Sequence, residues 1–148
     1  MKIIETYSEQ ETYQFASEYA RELNGGTVII LDGDLGCGKT VIAKGLASGL
    51  GIDEPITSPT FGIFNIYEGG RLTLYHFDVY RIACEEEMEE IGYEEYFFSD
   101  GVCLVEWGTN VPDIIPDSSI FIKIEKDMTK GENYRRISVF TKEDNLTI

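Results

Sequence analysis

The segment Gly33-Asp34-Leu35-Gly36-Cys37-Gly38-Lys39-Thr40 has the spacing G-x-x-x-x-G-K-T. Glycines at this spacing let consecutive backbone N–H groups turn inward around phosphate oxygens. Lys39 would reach the β- and γ-phosphates of a nucleoside triphosphate, and Thr40 would offer its hydroxyl to Mg²⁺. A helix starting here would aim the positive end of its dipole at the same anion. The residues from Asp34 to Thr40 are therefore the expected nucleotide cradle, with ATP and Mg²⁺ as the expected ligands. Cys37 stands where a small packing side chain suffices, although a thiol at a helix N-terminus can be acidified and become open to oxidation.

Such a loop needs an acid at the carboxyl end of a neighbouring strand, the edge where ligands of open α/β sheets bind. Two segments have that form. Val102-Cys103-Leu104-Val105 runs into Glu106, which would hold Mg²⁺ directly or through water. Leu72-Thr73-Leu74-Tyr75-His76-Phe77 runs into Asp78, which would orient the attacking water or complete the metal shell. Ser58-Pro59-Thr60 offers hydroxyls to a γ-phosphate or metal and is nearly as well explained as a turn. His76, a lone histidine in a strand, reads as structural. Trp107, the only tryptophan, would report nucleotide binding beside Glu106.

The elements that must position these groups follow from periodicity. Glu9 to Leu23 has helical spacing of Tyr13, Ala16, Tyr19, Ala20 and Leu23, with Ser8 as N-cap and Glu11 completing a capping box. Thr27 to Leu31 is a continuous apolar run, as in a strand buried on both faces. Lys39 to Leu50 reads as the helix after the loop. Phe61–Tyr67 and Leu72–Phe77 flank Glu68-Gly69-Gly70-Arg71 as an antiparallel hairpin. Glu85 to Tyr96 reads as one acidic helix, Val102 to Val105 as a second buried strand, and Ile120–Ile124 and Ile137–Phe140 as two late strands around Lys130-Gly131-Glu132-Asn133. The expectation is an α/β fold: a single P-loop NTPase-like domain over residues 1–148, its mixed, mostly parallel sheet flanked by helices and containing one antiparallel hairpin.

Composition sets outer limits. The chain has 148 residues, enough to bury a core without a metal or disulfide staple. Its 27 Asp and Glu against 12 Lys and Arg give a net charge of −15, the wrong sign for holding nucleic acid through its phosphates. No apolar run reaches a membrane span, and Met1-Lys2-Ile3-Ile4-Glu5 has no signal-peptide pattern, so a cytoplasmic location is expected. Cys37, Cys84 and Cys103 lack metal-site spacing and read as reduced thiols.

In order and spacing, the P-loop, Ser58-Pro59-Thr60, Tyr75-His76-Phe77-Asp78-Val79-Tyr80-Arg81 and Cys103-Leu104-Val105-Glu106-Trp107 resemble the TsaE (YjeE) family over nearly the whole chain. The elements after the P-loop are the more specific ones. The resemblance implies a small Mg²⁺-dependent ATPase that works with TsaB and TsaD in making N6-threonylcarbamoyladenosine at tRNA position 37, without itself transferring the group. It further implies that Lys39 and Thr40 contact phosphate and Mg²⁺, that Glu106 is the metal-linked acid, that Asp78 serves hydrolysis, and that Glu9 and Thr12 contact the nucleoside. A partner, and not this acidic chain, would then hold the tRNA. The family's usual arginine directly after the late glycine is replaced by Glu132, with Arg135 and Arg136 further on.

Three other functions share the loop. A metabolite kinase needs an acceptor pocket and an arginine-bearing lid, for which little chain is left. A GTPase would read guanine with a motif that Thr141-Lys142-Glu143-Asp144 imitates, yet no glycine stands three residues after Asp78. A nucleotide-gated binding module would use its bound state only to set partner affinity.

Overall fold

A computed structural model describes residues 1–34, 36–57, 59 and 64–144. Seven strands form one sheet: β1 (Lys2–Thr6), β2 (Thr27–Asp32), β3 (Phe64–Tyr67), β4 (Leu74–Asp78), β5 (Val102–Glu106), β6 (Ile120–Lys126) and β7 (Arg135–Thr141). Their order is β1-β7-β6-β2-β5-β4-β3. The central pairings β6–β2, β2–β5 and β5–β4 are parallel, and the flanking pairings β1–β7, β7–β6 and β4–β3 are antiparallel. Five of the seven strands thus run one way, which is the mostly parallel sheet expected. The expected hairpin is β3–β4, and the two late strands form a second antiparallel ribbon, β6–β7.

β2 is buried on both faces because its alternate residues serve two different cores. Ile29 and Leu31 join the cluster under helices α1 (Glu9–Arg21) and α2 (Lys39–Gly49), with Ala16, Ala20, Ile42 and Leu46. Val28 and Ile30 face the opposite cluster, with Phe77, Met88, Phe97 and Val105. The two helices approach closely because small residues line their contact: a Cβ on Gly45 would stand 2.6 Å from the Cβ of Ala16 and from the carbonyl oxygen of Tyr13. This packing fixes α2, and with it the loop at its N-terminus.

Helix α1 starts as expected, with the Ser8 hydroxyl accepting from the Glu11 N–H at 3.1 Å. The return bond of the capping box goes one residue further back, from Tyr7 N–H to Glu11 Oε1 at 3.2 Å. The single acidic helix expected over Glu85 to Tyr96 is instead two short ones, α3 (Glu85–Glu90) and α4 (Tyr93–Phe97). Gly92 separates them at φ +72°, a left-handed backbone that no helix continues through. Strand β1 has no counterpart in the sequence reading. Ile3 and Ile4 sit among polar neighbours, and the strand exists by pairing with β7 in register Lys2↔Val139 to Thr6↔Arg135. No helix among the described residues is long and apolar enough to cross a membrane.

Candidate functional site

The glycine-rich loop leaves the carboxyl end of β2 and enters α2, as its sequence requires. Gly36 and Gly38 have φ of +76° and +107°, the left-handed region that favours glycine. Gly33 is needed for space, since a Cβ there would stand 2.6 Å from Ile124 Cγ2 on β6. Gly38 caps α2 without a side chain, and no acid occupies the first turn of α2. The positive end of the helix dipole is therefore left for an external anion, while within the loop the Cys37 N–H donates to the Asp34 carbonyl at 3.1 Å. These features fit the polyphosphate of a nucleotide, and Lys39, the first residue of α2, supplies the cation.

Because β2, β5 and β4 run parallel as neighbours, their carboxyl ends meet at one sheet edge. Glu106 is in register with Leu31 on one side and Asp78 on the other. The two acids singled out in the sequence are thus brought side by side next to the loop. Glu106 is 6% exposed, and its two oxygens have different partners. Oε1 lies 3.9 Å from Lys39 Nζ, and Oε2 lies 2.6 Å from His76 Nε2. Lys39 Nζ also sits 4.3 Å from the centre of the Trp107 ring. A buried carboxylate needs such partners, since desolvation without them would be costly.

His76 therefore differs from the purely structural residue expected. It belongs to β4 two positions before Asp78, so the alternation of the strand puts it on the same face as that acid. Its signal in the sequence was the H-F-D spacing itself, which only the register of β4 with β5 makes meaningful. Trp107 follows Glu106 at φ +63°, unusual for a bulky residue, and its ring packs at 4.9 Å against the exposed ring of Tyr80. The Tyr80 N–H in turn donates to Asp78 Oδ1 at 3.0 Å. One oxygen of Asp78 is thus held by the backbone, and among the described residues Oδ2 has no such bond.

Arg135, at the start of β7, reaches across 98 residues of sequence to the loop. Its Nε donates to the Cys37 carbonyl at 2.6 Å, and its Nη1 donates to the carbonyls of Glu132 and Tyr134 at 2.9 and 2.7 Å. It is this arginine that touches the loop, while Arg136 sits in register opposite Glu5 and Glu125. Sequence reasoning could not choose between them. A cavity between the loop and α1 is lined by Glu9, Thr12, Gly36, Cys37, Gly38, Val41, Asn133 and Arg135. Glu9 is exposed there, whereas Thr12 is buried with its hydroxyl 2.7 Å from that of Thr6 and 3.3 Å from the Ser8 carbonyl. Thr12 lines the cavity with its hydroxyl already engaged by Thr6 and the Ser8 carbonyl.

Thr40 is exposed in the first turn of α2, and Asp34 is exposed in the loop. Leu35, Ser58 and Thr60 lie outside the described residues. Cys37 is 1% exposed, and burial pushes its thiol above the ordinary value, so the acidified thiol considered at this helix end is not what the surroundings favour. Among the described residues no three His, Cys, Asp or Glu side chains cluster as a metal site. The Glu106 carboxylate and the exposed Thr40 are oxygen donors of the kind that Mg²⁺ takes, an ion that commonly uses one or two protein oxygens and completes its shell with substrate phosphates and water. The guanine-reading imitation is misplaced: Thr141 pairs with Ile120 at the opposite sheet edge, and Asp144 accepts from the Met1 ammonium at 3.1 Å and the Thr141 N–H at 2.8 Å.

Comparison with known proteins places these features in context. A family model described as threonylcarbamoyl adenosine biosynthesis protein TsaE matches residues 6–137. The chain is similar to the tRNA threonylcarbamoyladenosine biosynthesis protein TsaE of Treponema pallidum, at 46% identity over 79% of this chain and 86% of that one. It is similar also to the protein of the same name from Bacillus subtilis, at 43% identity over 90% and 81%. The crystal structure of Bacillus subtilis YdiB superposes with a TM-score of 0.78 at 37% identity, covering 95% of this chain and 84% of that one.

Proposed function

Because this chain belongs to the TsaE family and so to the biosynthesis of threonylcarbamoyladenosine in tRNA, we propose that it is the pathway's ATP-binding and ATP-hydrolysing subunit, dependent on Mg²⁺ and coupled to TsaB and TsaD. The observation that carries the proposal is the meeting of Lys39, Glu106 and Asp78 at the carboxyl edge of three adjacent parallel strands.

In this reading the loop N–H groups and Lys39 bind the phosphate chain. Lys39 exchanges Glu106 for phosphate oxygens, which keeps the ammonium paired throughout. Asp78, one oxygen tied to Tyr80 N–H, orients the attacking water with the other. Thr40 and Glu106 are the residues that would hold Mg²⁺, and the metal when bound would neutralise charge on the phosphoryl oxygens. Glu9 and the wall around Thr12 receive the nucleoside. The proposed place of action is the cytoplasm, where the tRNA is held by the partners. The net charge of −15 agrees with that division of labour.

The deciding experiment measures Mg²⁺-dependent ATP hydrolysis by the purified chain, alone and with the TsaB–TsaD pair, with Asp78→Ala as control. Slow turnover that rises with the pair and collapses in the variant supports the proposal. Nucleotide binding without turnover even with the pair would mark a gated binding module, and phosphate passed to a metabolite would mark a kinase.

A further inference from the structure

We propose that His76 is a positioning residue that fixes the Glu106 carboxylate toward the P-loop, an inference that rests on the proposed metal-linked role of Glu106. The bond itself is short and dry: His76 Nε2 donates to Glu106 Oε2 at 2.6 Å, with His76 1% and Glu106 6% exposed. A histidine placed only to fill the core would be poorly chosen here, because its other nitrogen, Nδ1, is buried without a hydrogen-bond partner among the described residues. An unsatisfied buried polar atom is a cost that an aliphatic side chain would avoid. What the ring provides in exchange is the single bond made by Nε2.

The register explains what that bond does. His76 is the Cα partner of Leu104, and Asp78 is the partner of Glu106, so histidine and glutamate stand diagonally on neighbouring parallel strands. The imidazole comes from below along the sheet and takes Oε2. Oε1 is thereby the oxygen turned toward the P-loop, where Lys39 Nζ stands 3.9 Å away. Without His76 the carboxylate could rotate and spend both oxygens on Lys39, or withdraw from the edge. Outer partners of this kind orient the groups that hold metals, and their loss typically weakens a metal by about 10- to 100-fold.

The test titrates Mn²⁺, read as free ion by electron paramagnetic resonance, into the ADP-loaded protein. His76→Leu should weaken Mn²⁺ by about 10- to 100-fold, and His76→Gln, whose amide nitrogen can reach the position of Nε2, should restore it to within about threefold. Metal-free ADP affinity, followed by Trp107 emission, and the melting temperature control for simple loss of structure. Should the leucine variant not fold, His76→Asn replaces it, being polar but too short to reach Glu106. A folded Leu or Asn variant with wild-type Mn²⁺ affinity, alongside a Glu106→Gln variant that has lost it, overturns the role of His76 and leaves that of Glu106 standing. Unchanged affinity in Glu106→Gln overturns the metal-linked reading of Glu106 and this inference with it.

Discussion

The ammonium of Lys39 lies between the Glu106 carboxylate, 3.9 Å away, and the face of the Trp107 ring, 4.3 Å from its centre. In the proposed function, a triphosphate entering the loop draws that ammonium away from both. Binding therefore exchanges one partner for another instead of leaving a charge unpaired, and the only tryptophan of the chain lies against the group that moves.

Indole emission should change when ATP is added, because a cation close to the ring face is removed. In Lys39→Met the ATP-dependent change should vanish and affinity should fall by about tenfold or more, the scale of one lost charge-assisted phosphate contact. A fluorescence titration of both proteins checks the first and titration calorimetry the second, and an undiminished fluorescence response in the variant would mean that Lys39 is not the phosphate ligand.

Arg135 ties the glycine-rich loop to the late turn, donating to the Cys37 carbonyl in the loop and to the carbonyls of its own neighbours Glu132 and Tyr134. Arg135→Ala should cost about 1–3 kcal/mol in urea unfolding, as charged hydrogen bonds to half-buried carbonyls are lost. It should also raise the KM for ATP, since the Cys37 carbonyl of the loop loses its tie to β7. Arg135→Lys should recover little, because one ammonium cannot reproduce a planar fork.

Gly92 separates α3 from α4 at φ +72°, and a Cβ there would meet nothing within 4 Å. The penalty for Gly92→Ala is thus purely one of backbone conformation, about 1–2 kcal/mol. Chemical denaturation should show that loss with ATP binding unchanged. If the substitution instead stabilises the protein, the break between the two helices is not imposed by this residue.

Cys103 is buried in β5, donates to the Tyr96 carbonyl at 3.1 Å, and has its thiol pushed by burial from 9.0 up to about 12. Below pH 9 folded and unfolded chains both keep the proton, and the contribution of this group to stability is complete. As pH rises from 9 toward 12 only the unfolded chain releases it, so stability falls by up to about 1.4 kcal/mol per pH unit. In Cys103→Ala this loss is absent, and the stability gap between variant and wild type should narrow above pH 9 in pH-dependent urea melts.

Much of the candidate site was legible in the sequence because it is local. The glycine loop occupies eight consecutive residues, and its backbone demands, together with the apolar run before it and the helical pattern after it, are written in adjacent positions. Glu106 and Asp78 could be singled out because each ends an apolar run, and parallel strands around a P-loop must present such ends at one edge. The helix over Glu85 to Tyr96 was misread because acidic side chains favour the first turn of any helix, and the weight of one glycine at Gly92 is decided by whether its neighbours pack as one segment or two.

Tertiary structure alone decided which distant groups meet. The strand order puts β5 between β2 and β4, and only that adjacency joins Glu106 to Lys39 on one side and to His76 on the other. The same holds for Arg135, whose reach to Cys37 depends on β7 lying beside β6 and β6 beside β2. Strand β1 exists for the same reason, since its backbone is satisfied by β7 and not by any pattern of its own. Periodicity records which face of an element is buried, but strand order and register are set by the packing of whole elements, and no stretch of neighbouring residues carries that information.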